Sequence, residues 1–215
     1  MPAGPHPEDD LIPEHVVLGG VALDVCRPRD LESLIDDDAF GAQEFLPYWA
    51  ELWPSTPVLA EALGAVDLDG LRILELGCGL GLPSLVAAHR GARVTATDWA
   101  ADALALLAGN AERNGLDLDL RRLDWFAPAD AWPDGPPEPW PLVVAADVLY
   151  EARNGPALLR TLERVVAPGG EAWIADPGRP TAAGFWRAAA ETWTLDLLGD
   201  EASGRPTVRR LRRRD

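Results

Sequence analysis

Four short stretches place acids and aromatic rings where chemistry could be done. The first, Glu75-Leu-Gly77-Cys-Gly79-Leu-Gly81, is a glycine-rich turn, and glycine both adopts positive φ and lets a bound molecule approach the backbone. The others are Thr97-Asp98-Trp99, Leu123-Asp124-Trp125 and Ala145-Ala146-Asp147-Val-Leu-Tyr150. Asp98 can accept hydrogen bonds from both hydroxyls of a ribose, and Asp124 beside Trp125 suits hydrogen bonding and stacking of an adenine. The glycine spacing is G-x-G-x-G, and Leu82 stands where a dinucleotide fingerprint requires its third glycine. Glu75 puts a carboxylate where a pyrophosphate would sit, a mismatch that disappears if the ligand carries an amine. The set predicts a cationic adenosyl ligand and ranks a nicotinamide-dinucleotide dehydrogenase last. An Asp at a strand tip also caps a following helix, so each acid alone is ambiguous. Four of them with a glycine loop are poorly explained by capping.

These residues need a scaffold that brings strand ends together. From Leu71 onward apolar runs alternate with helical periods, the pattern of βαβ units and a parallel sheet covered on both faces. Strands are expected at 72–77, 93–98, 116–123, 141–147 and 171–176, and helices at 83–89, 101–114 and 155–166, with Gly91, Gly115 and Gly169-Gly170 as stops. Before them Tyr48, Trp49 and Trp53 crowd ahead of a helix that runs from Ser55 through Leu59 and Leu63 to Val66. After Pro180 a helix to about 191 leads into strands at 192–198 and 207–211. The expected fold class is α/β: a Rossmann-like, doubly wound seven-stranded sheet, mostly parallel, with a C-terminal antiparallel hairpin. In such a sheet the fourth strand lies across the first from the second, so Asp147 faces Asp98 across the switch point, where ligands bind.

Residues 46–215 are expected to form this domain, and 1–45 an acidic, partly mobile extension. Within that extension 16–25, broken by Gly19-Gly20, has a weak hairpin pattern, and Asp36-Asp37-Asp38 before Phe40-Gly41 reads as a turn. The proline-rich patch Pro133 to Pro141 reads as a stiff loop.

Composition narrows the function. The chain has 215 residues, 47% hydrophobic and 25% charged, close to average for a globular domain. Two cysteines are too few for a disulfide framework, and with His6, His15 and His89 they show no metal-ligand spacing. The net charge is -16, and all 19 cations are Arg, since the sequence contains no Lys. Such an acidic surface repels a phosphate backbone, so no nucleic-acid partner is expected. The tail 205–215 carries six Arg against one Asp and is expected to offset the acidic body or cap a final strand. Glu44, Glu51 and Glu61 interrupt the most apolar region, leaving no run of about 20 apolar residues to span a membrane. The first ten residues lack the features of a signal peptide, which predicts a cytoplasmic location.

The strand-tip acids and the glycine loop resemble those of the class I, seven-stranded methyltransferases that use S-adenosylmethionine, over residues 47–212. Three further pieces, Pro47-Tyr48-Trp49-Ala50 leading to Leu52-Trp53-Pro54, Asp147-Val-Leu-Tyr150-Glu151, and Asp176-Pro-Gly-Arg-Pro180, are similar to methyltransferase family 16. Most characterised members of that family methylate lysine side chains of specific proteins. The Trp-Pro and Asp-Pro-Gly-Arg-Pro segments resemble the branch that acts on the electron transfer flavoprotein β subunit, whose bacterial relatives are often labelled nicotinamide N-methylase-like.

The resemblance implies S-adenosyl-L-methionine as cofactor, no metal, and a protein partner with an accessible lysine, the flavoprotein subunit among the candidates. It implies that Glu75, Gly77 and Gly79 hold the methionine end of the cofactor and Asp98 its ribose. Asp124 and Trp125 would flank the adenine, Trp53 and Ala146 would also line the cofactor site, and Asp147 with Tyr150 would meet the nucleophile. One or two of Tyr48, Trp49 and Trp53 are expected to wall a channel for a lysine stem or a cationic ring. Two alternatives stand beside lysine methylation: N-methylation of a small, nicotinamide-like molecule, and a non-catalytic S-adenosylmethionine-binding module.

Overall fold

The computed structural model describes residues 11–29, 47–127, 138–199 and 204–214. In chain order its elements are β1 (Leu11–Leu18), β2 (Val21–Pro28), α1 (Ser55–Gly64), β3 (Arg72–Leu76), α2 (Leu82–His89), β4 (Arg93–Asp98), α3 (Ala101–Arg113), β5 (Asp119–Arg122), β6 (Trp140–Ala146), α4 (Asn154–Val165), β7 (Val166–Asp176), α5 (Ala183–Thr192), β8 (Trp193–Leu198) and β9 (Thr207–Arg213). Seven strands form one sheet in the order β5-β4-β3-β6-β7-β9-β8. β5, β4, β3, β6 and β7 pair in parallel, while β9 enters antiparallel between β7 and β8. The doubly wound sheet with its closing hairpin is therefore the one the alternation of apolar runs implies. β3 is flanked by β4 on one side and β6 on the other, so the chain reverses its winding there and opens a crevice above the β3 tip.

Period-2 alternation along the central strands divides the core between the two faces. Ile73, Leu142 and Val144 join α1, α2 and α3 on one face, and Leu74, Leu76, Val143 and Ile174 join α4 and α5 on the other. Glu75 shares the parity of Ile73, which places it on the α2 side.

The weak hairpin signal before the first helix is a real hairpin, β1–β2, turned by Gly19-Gly20. Its inward residues Val21, Leu23 and Val25 belong to the same core cluster as Leu59 and Leu85. Two side chains one helical turn apart, in α3 and at its C-terminal cap, complete it. Asn110 accepts from the Cys26 N–H at 2.7 Å and donates to the Cys26 carbonyl at 3.0 Å. Asn114 does the same for Asp24 at 2.9 and 2.8 Å. Residues i and i+2 of a strand lie about 6.6 Å apart and residues i and i+4 of a helix about 6 Å, so the two amides match the free edge of β2. The expected boundary near residue 45, the Asp36–Asp38 turn and most of the proline-rich patch lie outside the described residues.

Two elements of the seven-stranded sheet differ from their expected bounds by more than two residues. β5 is four residues, with 116–118 and 123 outside it, and pairs with Thr95 to Asp98 of β4. Gly169-Gly170 does not stop a helix: α4 ends at Val165 and β7 begins at once, pairing Val166 with Trp140 before a register shift. Gly170 sits in that irregularity, where a Cβ would stand 3.0 Å from the Pro141 carbonyl. The arginine-rich end is spent internally. Arg210 and Arg212 reach Asp196 at 3.2 and 2.5 Å, Arg209 and Arg213 stack on Trp186 and Trp193, and Arg205 pairs with Glu61.

Candidate active site

The carboxyl ends of β3, β4 and β6 open into a cavity of about 370 Å³. All ten residues nominated from the sequence, Trp53, Glu75, Gly77, Gly79, Asp98, Asp124, Trp125, Ala146, Asp147 and Tyr150, line it. Parallel pairing places the strand tips side by side, and the glycine loop carries the chain over them. Gly77 has φ +67°, and a Cβ there would stand 3.2 Å from the Trp125 ring and 3.1 Å from Val148.

The loop and the β4 tip are tied together. Thr97 Oγ1 donates to the Glu75 carbonyl at 2.7 Å, and the Cys78 N–H donates to the Thr97 carbonyl at 2.9 Å. The Gly79 N–H donates to Asp98 Oδ2 at 2.9 Å and the Ala100 N–H to Oδ1 at 3.0 Å. Asp98 is thereby aimed, with lone pairs left on both oxygens for hydroxyl donors. Burial raises its carboxyl pKa, opposed by those amide hydrogen bonds.

Glu75 is not an open carboxylate. It is 2% exposed, and one oxygen accepts both the Ser84 N–H at 3.1 Å and the Ser84 hydroxyl. Burial outweighs these bonds and raises its pKa to about 8, so near neutral pH it is mostly the neutral acid until a cation stabilises its ionised form. Cys78, buried in the same loop, has its thiol pushed well above the usual range by burial, with Asp98 and Glu75 adding to the effect. That removes it as a thiolate nucleophile.

Asp124 is exposed and its Oδ1 accepts the Phe126 N–H at 2.8 Å. Trp125, Trp99 and Phe126 line the cavity beside it. Also in the lining, the Tyr150 ring lies 5.5 Å from that of Tyr48, and Tyr48 lies 6.1 Å from Trp53. The Trp53 Nε1–H donates to the Tyr48 carbonyl at 2.8 Å. Tyr150 has its phenol pKa raised, first by burial and then by Glu151.

Asp147 is the only non-glycine residue with positive φ among the described residues, at +57°. This conformation turns its side chain inward from the β6 tip, where it is 4% exposed. Its Oδ2 accepts the Ser55 N–H at 2.8 Å, and its Oδ1 accepts from Arg179 at 2.8 and 3.2 Å. Arg179 also lies over the Trp53 ring at 5.4 Å. The acid expected to face the nucleophile thus has both oxygens engaged by the protein itself. Ser55 and Arg179 lie within segments noted in the sequence, but their partnership with Asp147 spans 92 and 32 residues and leaves no local signal. Among the described residues no group of three His, Cys, Asp or Glu is placed to hold a metal, and no helix is long and apolar enough to cross a membrane.

The sheet and its glycine-loop cavity define the fold of the class I methyltransferases. Two solved structures share it. The 16S rRNA N2 methyltransferase of T. thermophilus, in complex with AdoMet and guanosine, superposes with TM-score 0.69 at 16% identity, over 96% of this chain and 51% of that one. The ribosomal protein L11 methylase of Lactobacillus delbrueckii subsp. bulgaricus gives 0.59 at 21% identity, over 75% and 79%.

Within that class the chain belongs to methyltransferase family 16, described as lysine methyltransferase, whose model matches residues 48–183. Protein N-lysine methyltransferase METTL21A of Danio rerio is 38% identical over 123 residues, 54% of this chain and 55% of the relative. A ubiquinone biosynthesis O-methyltransferase of Stutzerimonas stutzeri is 29% identical over 134 residues, 62% and 56%. The chain spans a little over half the length of these curated relatives.

Proposed function

We propose that the protein transfers a methyl group from S-adenosylmethionine to the side-chain amine of a lysine in another protein. One observation carries this reading: a single cavity is lined both by Asp98, held by the Gly79 amide and suited to a ribose, and by Asp147, Tyr150, Tyr48 and Trp53, suited to an acceptor. The family match and the METTL21A relative support a lysine acceptor.

The cofactor, when bound, supplies the methyl group: the amine lone pair forms the N–C bond as the S–C bond breaks, its electron pair stays on sulfur, and the surplus proton leaves the product nitrogen to water. This chain's residues bind and align. Asp98 takes the ribose hydroxyls, and Trp125 with Asp124 takes the adenine. Glu75, ionised by the approach of a cation, faces the methionine end. The aromatic wall of Tyr48, Trp53 and Tyr150 holds the acceptor stem in line and excludes water, so alignment supplies most of the acceleration. A free lysine has a pKa of about 10.4, so presenting it neutral near pH 7.4 costs about 4 kcal/mol, which the cationic sulfonium reduces by disfavouring the ammonium.

The O-methyltransferase relative favours a second reading, a small-molecule acceptor. Incubation with isotope-labelled S-adenosylmethionine and a cofactor-depleted lysate separates the two. Label in a discrete protein band supports the lysine reading, and label confined to the small-molecule fraction replaces it with the second.

A further inference from the structure

A buried acid beside the acceptor poses a physical difficulty. A lone carboxylate stabilises an ammonium and so opposes the loss of the proton that blocks attack. Arg179 bears on this directly. Its guanidinium donates to Asp147 Oδ1 from two nitrogens, covers one face of the Trp53 ring, and is itself not among the residues lining the cavity.

The loop that carries it is fixed at its base, because Asp176 Oδ1 accepts the Gly178 N–H at 2.7 Å and the Arg179 N–H at 2.9 Å. On the other side the Ser55 N–H, at the start of α1, holds Asp147 Oδ2. Asp147 therefore reaches the cavity with its direction set from two elements and with Arg179 as its counter-ion, a cation that also faces the buried Asp176.

We propose that Arg179 is a specificity-determining positioning residue: it supplies the counter-charge to Asp147 from outside the cavity, so that the wall can accept an N–H from the acceptor without favouring its cationic form. This rests on the amine-acceptor reading above and adds which protonation state the site takes in. It also gives the Asp-Pro-Gly-Arg segment a task. Without Arg179 the wall at Asp147 would carry an unmatched negative charge, and a cation would bind there more tightly and less productively.

The test compares a permanent cation with its uncharged carbon analogue, choline and 3,3-dimethylbutan-1-ol, binding to the full chain with S-adenosylhomocysteine present. Wild type, Arg179→Met and Arg179→Lys are titrated calorimetrically or by ligand-observed NMR. Arg179→Met is expected to bind choline about tenfold more tightly than wild type and the alcohol no more tightly, while Arg179→Lys stays near wild type.

Glu51 and Glu151 also line the cavity, but they are common to all three proteins and cancel in the comparison. Equal gains for both probes would mean that only space was opened. No gain for choline, including no binding in any protein, would equally overturn the proposal. S-adenosylhomocysteine affinity within about threefold of wild type certifies the fold of each variant. The probes read only the charge of the wall, so this result is independent of whether label later appears in a protein or a small molecule.

Discussion

Ser84 donates its backbone N–H and its hydroxyl to a single oxygen of Glu75, fixing the acid at the β3 tip against the first turn of α2. Burial raises the pKa of that carboxyl from 4.5 to about 8. The neutral acid is thus favoured by the fold, and its stabilising contribution is complete below about pH 4.5 and is lost as pH rises through about 8.

Glu75→Gln keeps the acceptor oxygen and removes the titration. Without cofactor at pH 8 its Tm should exceed wild type by about 10 °C, because about 4 kcal/mol of that contribution is lost there and each kcal/mol is worth roughly 2–4 °C for a chain of this size. Its affinity for S-adenosylmethionine should fall about tenfold, because no anion remains to meet the cation. Scanning calorimetry and titration calorimetry read the two effects, and a variant that loses stability at pH 8 would contradict the assigned protonation.

Asp98 is held by two backbone amides, one on each oxygen, so Asp98→Asn keeps only one of them; it should lower Tm modestly and bind S-adenosylmethionine about 100-fold more weakly. The amide can still accept from Gly79 but offers one acceptor oxygen where the carboxylate offers two. Unchanged affinity by titration would remove the ribose from this acid.

At Asp147 the informative variant is Asn. Its φ of +57° suits Asn and strains most other residues, and breaking a buried pair by truncation costs about 3–5 kcal/mol. Asp147→Asn should retain cofactor affinity within a few fold and lose methyl transfer by about 100-fold. Loss of cofactor binding instead would move Asp147 into the cofactor site.

The β1–β2 hairpin docks through a backbone contact. A Cβ on Gly64 would stand 2.2 Å from the Gly19 carbonyl oxygen, so Gly64→Ala must displace either the turn or α1. It should lower Tm by about 5 °C or more and speed hydrogen exchange of the β2 amides held by Asn110 and Asn114. Wild-type stability in this variant would show that the hairpin is not anchored there.

What the sequence revealed and what it hid follows from the range of each interaction. Glu75, Asp98, Asp124 and Asp147 are legible because each lies near or just past the end of an expected strand, and sheet topology alone gathers such ends. The hairpin was visible in the alternation of Val21, Leu23 and Val25, but not its clasp, since Asn110 lies 84 residues from Cys26. Ser84, Ser55 and Arg179 carry no local mark of their partnerships. From sequence Glu75 reads as an open carboxylate because its spacing from the glycines is local, whereas its burial and raised pKa depend on the packing of α2. Gly169-Gly170 misled for a related reason: past a helix glycine is the common stop, and only pairing with β6 makes these two part of a strand.

The central claim is transfer to lysine, and the product tests it most directly. Labelled protein from the lysate reaction would be hydrolysed and its amino acids separated. The chain contains no Lys, so any N-methyllysine arises from the acceptor and never from the enzyme. The account predicts label in N-methyllysine, lost in the Asp147→Asn reaction; label in another methylated residue, or in small molecules alone, would contradict it.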